Sequence, residues 1–265
     1  MGKLFSELFN DTCLKYKNMY GEKRCNKFIK KCEEERQKEW EKLERLNRMR
    51  MKEFPKYPKI QSLYKRDMTK KHKPLIESDY TRDEYRVLKN AVWESYEKID
   101  GTNIRIHWDG EGFLVGGRTY AAKLHPILVD KIYNLLDAEK FKEKFDDTPV
   151  TIYGEGYGNN IQKVGPLYSS EYNFIMFDIL IGNFWLTYET MKDLGEFFNI
   201  DVVPRIMTTV GFDSAIDLCK EGFKSSIGNA PAEGVIIKPA LGLKDRAGKR
   251  IISKIKCSDY VEKSC

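Results

Sequence analysis

The chain has 265 residues and a formal net charge of +6, with 41% hydrophobic and 12% aromatic residues, which is an ordinary composition for a folded enzyme. No apolar run approaches eighteen residues and the first residues lack the apolar core of a signal peptide, so neither a membrane protein nor a secreted protein is expected. The six cysteines include no Cys-x-x-Cys pair, which argues against a zinc site and favours reduced thiols in a cytoplasmic setting.

Charge is distributed unevenly along the chain. Residues 1–75 hold 22 Lys/Arg against 11 Asp/Glu, whereas residues 76–265 hold 24 against 29. A basic amino-terminal segment joined to a mildly acidic body suggests contact with an anionic partner, most simply nucleic acid phosphate. The alternative is that these charges form an ordinary solvated face.

The basic segment is predicted to be helical. Over Lys27–Phe54 there is no Gly or Pro, and apolar residues recur three or four positions apart. The apolar seam is narrow, so the helix needs a partner surface: the rest of the chain, a second copy in a homodimer, or a partner protein. Pro55 and Pro58 would end it. We predict a helical basic arm over residues 1–54 and a globular domain over residues 55–265.

The globular part combines short strands and helices, which predicts an α+β fold with antiparallel-rich sheets. Strands are predicted over Val92–Ile99, Thr102–Trp108, Phe113–Gly117, Val150–Gly154, Tyr172–Ile181, Val235–Lys238 and Arg250–Lys256, and helices over His125–Asp137, Tyr188–Asn199 and Ser214–Phe223.

Four charged clusters lie beside or inside these strands, where a sheet can hold them rigidly. They are Glu97–Asn103 around Lys98, Gly154-Glu155-Gly156, Glu233–Lys238, and Ser253–Lys256. A lysine in a Lys-x-Asp-Gly turn is weak evidence alone, because short motifs match by chance. Together with two separated glutamates and a late Lys-x-Lys pair, it is a set suited to covalent nucleotidyl transfer.

From about Tyr57 to Tyr260 this ordered set resembles the ATP-dependent RNA ligases of the covalent nucleotidyltransferase superfamily, in particular the nick-sealing type. The resemblance implies that residues 55–265 form a nucleotidyltransferase domain. It also implies that Lys98 becomes adenylylated, with Lys254 and Lys256 at the α-phosphate and Glu233 near the metal.

The chemistry requires these residue types. A lysine amine can attack the α-phosphorus of ATP and hold AMP as a phosphoramidate, but it must first lose its proton. A free lysine titrates near about 10.4, and neighbouring cations favour that loss. A glutamate supplies hard oxygen to Mg²⁺ or Mn²⁺, a second can accept hydrogen bonds from ribose, and an aromatic ring can stack on adenine.

The resemblance also implies the nucleotide contacts. Glu155 matches the ribose-binding glutamate, and Phe177 matches the adenine-stacking ring. The remaining predicted nucleotide-binding residues are Glu97, Asp100, Asn103, Arg118 and Lys238. Arg105 and His107 share a strand face with Asn103, which suggests that they too approach the pocket.

The resemblance implies an RNA substrate with 5′-phosphate and 3′-hydroxyl ends and the cofactors ATP and Mg²⁺ or Mn²⁺. Only Cys257 and Ser258–Cys265 follow Lys256, so no OB-fold is expected after the lysine pair. RNA must then be bound by the domain itself, the basic arm, a partner protein or a second subunit.

Two other classes of protein remain as alternatives. Another lysine-dependent nucleotidyltransferase, such as a DNA ligase or a capping guanylyltransferase, would use the same chemistry. Asn103 argues against it, since those enzymes usually carry Arg at that position. A non-catalytic nucleic-acid-binding module would explain the basic arm but not the ordered charged set.

Overall fold

The computed structural model describes residues 22–51 and 54–260. The chain divides into two compact units, the first ending at Arg50 and the second beginning at Met51. The arm predicted over residues 1–54 therefore lies partly outside the described residues, and its separate functional role stays a prediction. None of the helices in the described ranges is long and apolar enough to cross a lipid bilayer.

The described part of the first unit is one long helix, α1 (Glu22–Arg50). It covers most of the predicted Lys27–Phe54 helix but ends four residues early. Met51, the next residue, is in a turn and belongs to the second unit, where its side chain is 2% exposed. Near the end of α1, Leu46 and Met49 are exposed. A partner for this apolar seam stays a prediction.

The described residues of the second unit form twelve strands. They are β1 (Gln61–Ser62), β2 (Tyr64–Arg66), β3 (Leu75–Tyr80), β4 (Val92–Lys98), β5 (Thr102–Trp108), β6 (Phe113–Gly117), β7 (Val150–Tyr157), β8 (Asn173–Ile181), β9 (Phe184–Trp185), β10 (Arg205–Val210), β11 (Gly234–Pro239) and β12 (Ser253–Lys256).

These strands form two five-stranded sheets and one small sheet. The first sheet has the order β1-β12-β11-β4-β10, the second has the order β6-β5-β7-β8-β9, and β2 pairs with β3. Of the pairings between these strands only β1 with β12 is parallel. The prediction of an α+β fold with antiparallel-rich sheets is confirmed.

The second unit also contains helices. They are α2 (Asp83–Val87), α3 (Pro126–Leu135), α4 (Ala138–Phe145), α5 (Gly165–Tyr168), α6 (Tyr188–Phe198) and α7 (Asp213–Glu221), and a 3₁₀ turn follows at Cys257–Asp259. The second sheet buries Ile104 and Ile106 in one core with side chains from α3, α4 and α6, such as Phe141. The first sheet buries Val235 and Ile237 in another core that includes Ile216 of α7.

Periodicity located most strands of the site but missed several other elements. Strands β5 and β6 have the predicted bounds, while β1, β2, β3, β9, β10, α2, α4 and α5 were not predicted. Strand β10 lies at a sheet edge and is only partly buried, so its sequence carries a weak apolar pattern. Helix α4 does have a start signal, because the Asp137 carboxylate accepts hydrogen bonds from two backbone amides of its first turn.

The two sheets are joined where β4 passes through Ile99–Gly101 into β5, and two glycines permit this close packing. A Cβ on Gly101 would lie 2.2 Å from the carbonyl oxygen of Gly156 on β7. Gly234, at the start of β11, has φ +148°, and a Cβ there would lie 2.0 Å from the Ile255 carbonyl oxygen. The strand ends that carry the charged clusters therefore lie close together.

Candidate active site

A cleft of about 240 Å³ lies between the two sheets. Nine of the eleven predicted site residues line it, so the charged clusters of the sequence lie together in space, while their roles stay predictions. The other two, Asp100 and Glu233, lie at its edge through their electrostatic contact with the lining lysines. The lining predicted residues are Glu97, Lys98, Asn103, Arg118, Glu155, Phe177, Lys238, Lys254 and Lys256.

Strand register aligns the lysines on one face of the first sheet. Gly234 on β11 pairs with Lys98 on β4 and with Lys256 on β12, and Lys254 lies two residues before Lys256. Residues two apart on a strand share a face. The sheet therefore presents three ammonium groups to the same cleft.

The Glu233 carboxylate bridges two of these lysines. One oxygen lies 2.5 Å from Lys98 Nζ and the other 2.5 Å from Lys256 Nζ. All three side chains are only partly exposed, so water screens the interaction less than it would at the surface. The carboxylate occupies a position between two cations that would also suit a phosphate oxygen or a metal ligand.

Burial changes the protonation of the other carboxylates at this site. It raises the pKa of Glu155 to about 8; the charge of Lys98 opposes the rise, and Glu233 and Asp100 add to it. Burial also raises the pKa of Asp100, again with a contribution from Glu233. A further cation in the cleft would therefore favour the ionised form of both groups.

Lys254 lies in a strongly positive environment. Burial lowers the pKa of its ammonium group, and the charges of Lys256 and Lys98 lower it further. The Lys59 side chain, which also lines the cleft, contributes in the same direction. Lys59 was not predicted from the sequence, because the segment before β1 carries no periodic pattern. This group of cations is suited to binding phosphate.

Phe177 faces the cleft because β8 contains a β-bulge. Tyr153 of β7 pairs with Asp178 and Gly154 pairs with Met176, so Phe177 is the extra residue. A bulge redirects the side chain of the additional residue, and here it places the ring beside Tyr57, with ring centroids 5.0 Å apart. The location fits a stacking ring, and the role itself stays a prediction.

Asn103 and Arg118 line the cleft from the second sheet, the same sheet that carries Phe177. The Asn103 Oδ1 atom is buried and has no hydrogen-bond partner in the described parts of the chain. Burying an unpaired acceptor costs about 1–3 kcal/mol, so such an atom favours a bound donor. Arg118 is exposed and lines the cleft from the end of β6.

Glu97 borders the cleft, but its carboxylate is already engaged. It alternates with Lys98 along β4 and therefore points to the other face of the sheet. Its oxygens accept hydrogen bonds from the Ser225 hydroxyl and from the hydroxyl and backbone amide of Ser226, the last at 3.0 Å. These contacts position the strand that carries Lys98, and a nucleotide contact by Glu97 stays a prediction.

A buried network around Asp178 was not predicted from the sequence. The carboxylate accepts hydrogen bonds from Tyr57 Oη at 2.7 Å and from Arg250 at 2.6 Å, and Lys238 Nζ lies 3.8 Å away. Lys238 also lies 4.4 Å from the centroid of the Tyr96 ring, and its burial lowers its pKa. The network fixes Lys238 and Tyr57 at the cleft wall.

The expectation that Arg105 and His107 approach the pocket is wrong. Their face of β5 is covered by the segment that precedes β1. Arg105 donates to the backbone carbonyls of Gly117 and Phe54, and His107 stacks on Phe54 with ring centroids 3.5 Å apart. Both residues therefore anchor the entry of the chain into the second unit.

Helix α5 and the residues just before it brace the Lys98 turn. The Gln162 side-chain amide donates to the Gly101 carbonyl at 3.0 Å, and the Tyr168 hydroxyl accepts from the Asp100 backbone amide at 3.2 Å. The turn after Lys98 is therefore held by contacts from outside its own strand. Supporting contacts of this kind keep a reactive side chain in position.

Within residues 22–51 and 54–260, no three His, Cys, Asp or Glu side chains converge as a ready-made metal site. A Mg²⁺ ion needs only one or two protein carboxylates when substrate phosphates supply the other oxygens. Glu233 offers such an oxygen beside the phosphate-suited lysines, so the donor set fits a metal that binds together with a nucleotide.

Comparison with known proteins agrees with this geometry. No curated protein matches the chain. A Naegleria gruberi RNA ligase mutant with ATP and Mn is 16% identical, with a TM-score of 0.55 over 77% of this chain and 58% of that chain. The same ligase with PPi is 17% identical, with a TM-score of 0.52 over 78% and 62%.

At this identity the likeness to the Naegleria gruberi ligase shows a shared fold, and the chain spans about three-fifths of the length of that protein. The sequence itself matches the family described as RNA ligase over residues 91–256, which include the Lys98 turn and the Lys254–Lys256 pair. This match covers more than half of the chain, and the chain therefore belongs to the RNA ligase family.

Proposed function

We propose that the chain is an ATP-dependent RNA ligase that works through a lysyl-AMP intermediate on Lys98. The observation that carries the proposal is the Glu233 carboxylate held between Lys98 and Lys256 in a cleft that Lys254, Glu155 and Phe177 also line. The Naegleria gruberi structures, which contain ATP or AMP with Mn, support the same choice of nucleotide and metal.

In the first step, the neutral Lys98 Nζ attacks the α-phosphorus of ATP. The N–P bond forms as the bond to the bridging oxygen of the β-phosphate breaks, and pyrophosphate leaves with the bonding electrons. Nζ must lose a proton, and the Glu233 carboxylate lies within hydrogen-bond distance of Nζ. Lys254 and Lys256 neutralise the charge that develops on the phosphate oxygens.

The remaining side chains orient the nucleotide. Glu155 accepts a hydrogen bond from a ribose hydroxyl, and Phe177 stacks on the adenine. Asn103 offers an unpaired buried oxygen to a donor of the substrate. Glu233 would hold Mg²⁺ or Mn²⁺, and a metal bound there supplies positive charge to the phosphate oxygens.

Two further steps complete the joining reaction. An oxygen of the RNA 5′-phosphate attacks the phosphorus of lysyl-AMP, which breaks the N–P bond and returns the amine to Lys98. The RNA 3′-hydroxyl then attacks the activated 5′-phosphate, loses its proton to solvent and releases AMP. Both steps reuse the same lysines, because each passes negative charge through the same phosphate oxygens.

We further propose that the basic arm contributes to RNA binding and that the protein acts in the cytoplasm. Residues 1–50 hold 14 Lys/Arg against 9 Asp/Glu, and α1 carries much of this charge. Reduced cysteines suit that compartment, and the cysteines described as free are Cys32, Cys219 and Cys257. Pairing of α1 with a second copy or a partner protein is a separate proposal.

Mass spectrometry of the chain after incubation with ATP and Mg²⁺ or Mn²⁺ tests the proposal. We expect one AMP on Lys98 and none on the Lys98→Ala variant, because the N–P bond requires that amine. GTP should not replace ATP. An adduct on another residue, or preferential labelling by GTP, would contradict the assignment.

A further inference from the structure

A second cleft of about 370 Å³ lies beside the first and shares Pro58 and Lys59 with it. Besides Lys59, it is lined by three more cationic side chains, Arg82, Lys249 and Arg250, and by a single carboxylate, Asp245. The reaction steps described above use none of these cleft residues. The cleft therefore carries an excess of positive charge with no assigned ligand.

Two of the four cations are held in place by protein partners. Arg82 lies 2.7 Å from an Asp245 oxygen and donates to the Arg250 carbonyl at 3.0 Å. Arg250 pairs with Asp178 at 2.6 Å, and its guanidinium lies 4.2 Å from the centroid of the Trp185 ring. These contacts fix the wall of the cleft before any ligand binds.

The other two cations, Lys59 and Lys249, are exposed and have no carboxylate within 4 Å over the described ranges of the chain. Lys249 is nonetheless well positioned. Asp245 Oδ1 accepts hydrogen bonds from the backbone amides of Ala247 and Lys249, at 2.9 and 2.8 Å, which orders the hairpin that ends at Arg250. The cleft thus presents two unpaired ammonium groups on an ordered frame.

The second cleft lies next to the start of β12, the strand that carries Lys254 and Lys256. Gln61 of β1 pairs with Ser253 of β12, and both Gln61 and Ile252 line the second cleft. Ile252 lies two residues before Lys254, a rise of roughly 7 Å along an extended chain. An RNA strand that passes the α-phosphate site would therefore place its next phosphate and sugar groups in this cleft.

We propose that the second cleft binds backbone phosphate of the RNA substrate next to the end that reacts, an inference that rests on the proposed ligase function. Its volume of about 370 Å³ has room for a nucleotide unit, and its excess of cationic side chains suits the phosphate of that unit. Arg250 covers one face of Trp185 and Tyr85 is fully buried, so recognition is through phosphate and sugar and is independent of base sequence.

The test compares Lys249→Ala with Arg246→Ala, a matched control in the same hairpin whose side chain does not line the cleft. Binding of a 5′-phosphorylated RNA is measured against salt concentration in the absence of ATP. We expect Lys249→Ala to weaken binding about tenfold and to reduce the salt slope by about 0.7, the value for one phosphate contact to a single strand. Arg246→Ala should change affinity less than about twofold.

Adduct formation distinguishes the possible phosphate sources. Lys249→Ala should leave the ATP concentration dependence of AMP-adduct formation as in the parent chain. A raised ATP requirement would assign the cleft to the triphosphate and overturn the proposal. Equal losses of RNA affinity in Lys249→Ala and Arg246→Ala would also overturn the proposal. An absence of RNA binding by the parent chain would do the same. If the parent binds RNA as expected but forms no adduct, the ligase function fails while the phosphate site stands.

Discussion

Glu233 is the residue on which the charge balance of the active site depends. Its carboxylate contacts Lys98 and Lys256 at once, and its charge also raises the pKa of Glu155 and Asp100. A metal bound by Glu233 would weaken both effects, because its positive charge would offset the negative charge that Glu233 exerts on the lysines and on the other carboxyl groups. Nucleotide and metal binding are therefore expected to change the protonation of the whole site together.

Glu155 makes this coupling measurable as pH-dependent stability. With a pKa of about 8, the folded protein keeps a proton that the unfolded chain loses near its ordinary value of about 4.3. The unfolded state therefore binds fewer protons between these values, and stability contributed by this group falls as pH rises through that window.

We expect the stability of Glu155→Gln relative to the parent to rise by roughly 4 kcal/mol between pH 5 and pH 9, because only the parent loses a bound proton over this range. Urea unfolding at the two pH values measures the difference. Glu143→Gln, at an exposed position, controls for loss of a surface charge. A Glu155→Gln difference that is the same at both pH values would contradict a buried, proton-binding carboxyl group.

At the scale of elements, β11 aligns the reactive groups, because it lies between β4 and β12 in the first sheet. Its first residue, Gly234, pairs with both Lys98 and Lys256. The positive φ and the closeness of the Ile255 carbonyl require a glycine there. The backbone of one strand end therefore sets the distances in the Lys98–Glu233–Lys256 bridge.

Gly234→Ala should lower stability by roughly 2 kcal/mol or more, a fall of about 4–8 °C in Tm, since the added Cβ has no space. AMP-adduct formation should decline as well, because Glu233 moves with the strand end. Thermal unfolding and mass spectrometry measure the two effects. Gly112→Ala is the control, as a Cβ there meets nothing within 4 Å. Equal Tm values for the two variants would show that the strand end tolerates a side chain.

For the whole molecule, the uneven distribution of charge suggests that the amino-terminal arm and the second unit have different functions. The second unit contains the cleft and both sheets, while the basic charge is concentrated towards the amino terminus. Nucleic acid binding by lysine and arginine releases counterions and so weakens steeply with salt. The arm can therefore be tested apart from the chemistry.

Deleting residues 1–50 retains Met51, which is buried in the second unit. We expect AMP-adduct formation to survive, because Lys98 and its partners lie in the second unit, while RNA affinity and its salt slope decline. RNA binding against salt measures this effect, with light scattering as a check on oligomeric state. An unchanged salt slope with an altered oligomeric state would leave the arm as an assembly element.

The sequence by itself indicated the chemistry that we propose for this protein, and it determined much of the local structure. Lys98, Glu155, Glu233 and the Lys254–Lys256 pair stand in an order and a strand context that indicate nucleotidyl transfer, and alternation located β5 and β6. These signals are local, because a turn motif and a period of two depend only on neighbouring residues.

Only the tertiary structure decided which side chains share the cleft. The bulge that redirects Phe177, the serines that engage Glu97, and the Asp178 network all depend on contacts between segments distant along the chain. The same holds for Arg105, which the strand pattern placed towards the pocket and which instead binds the segment before β1. Alternation assigns a residue to a face of a strand, but what packs against that face is set by the fold.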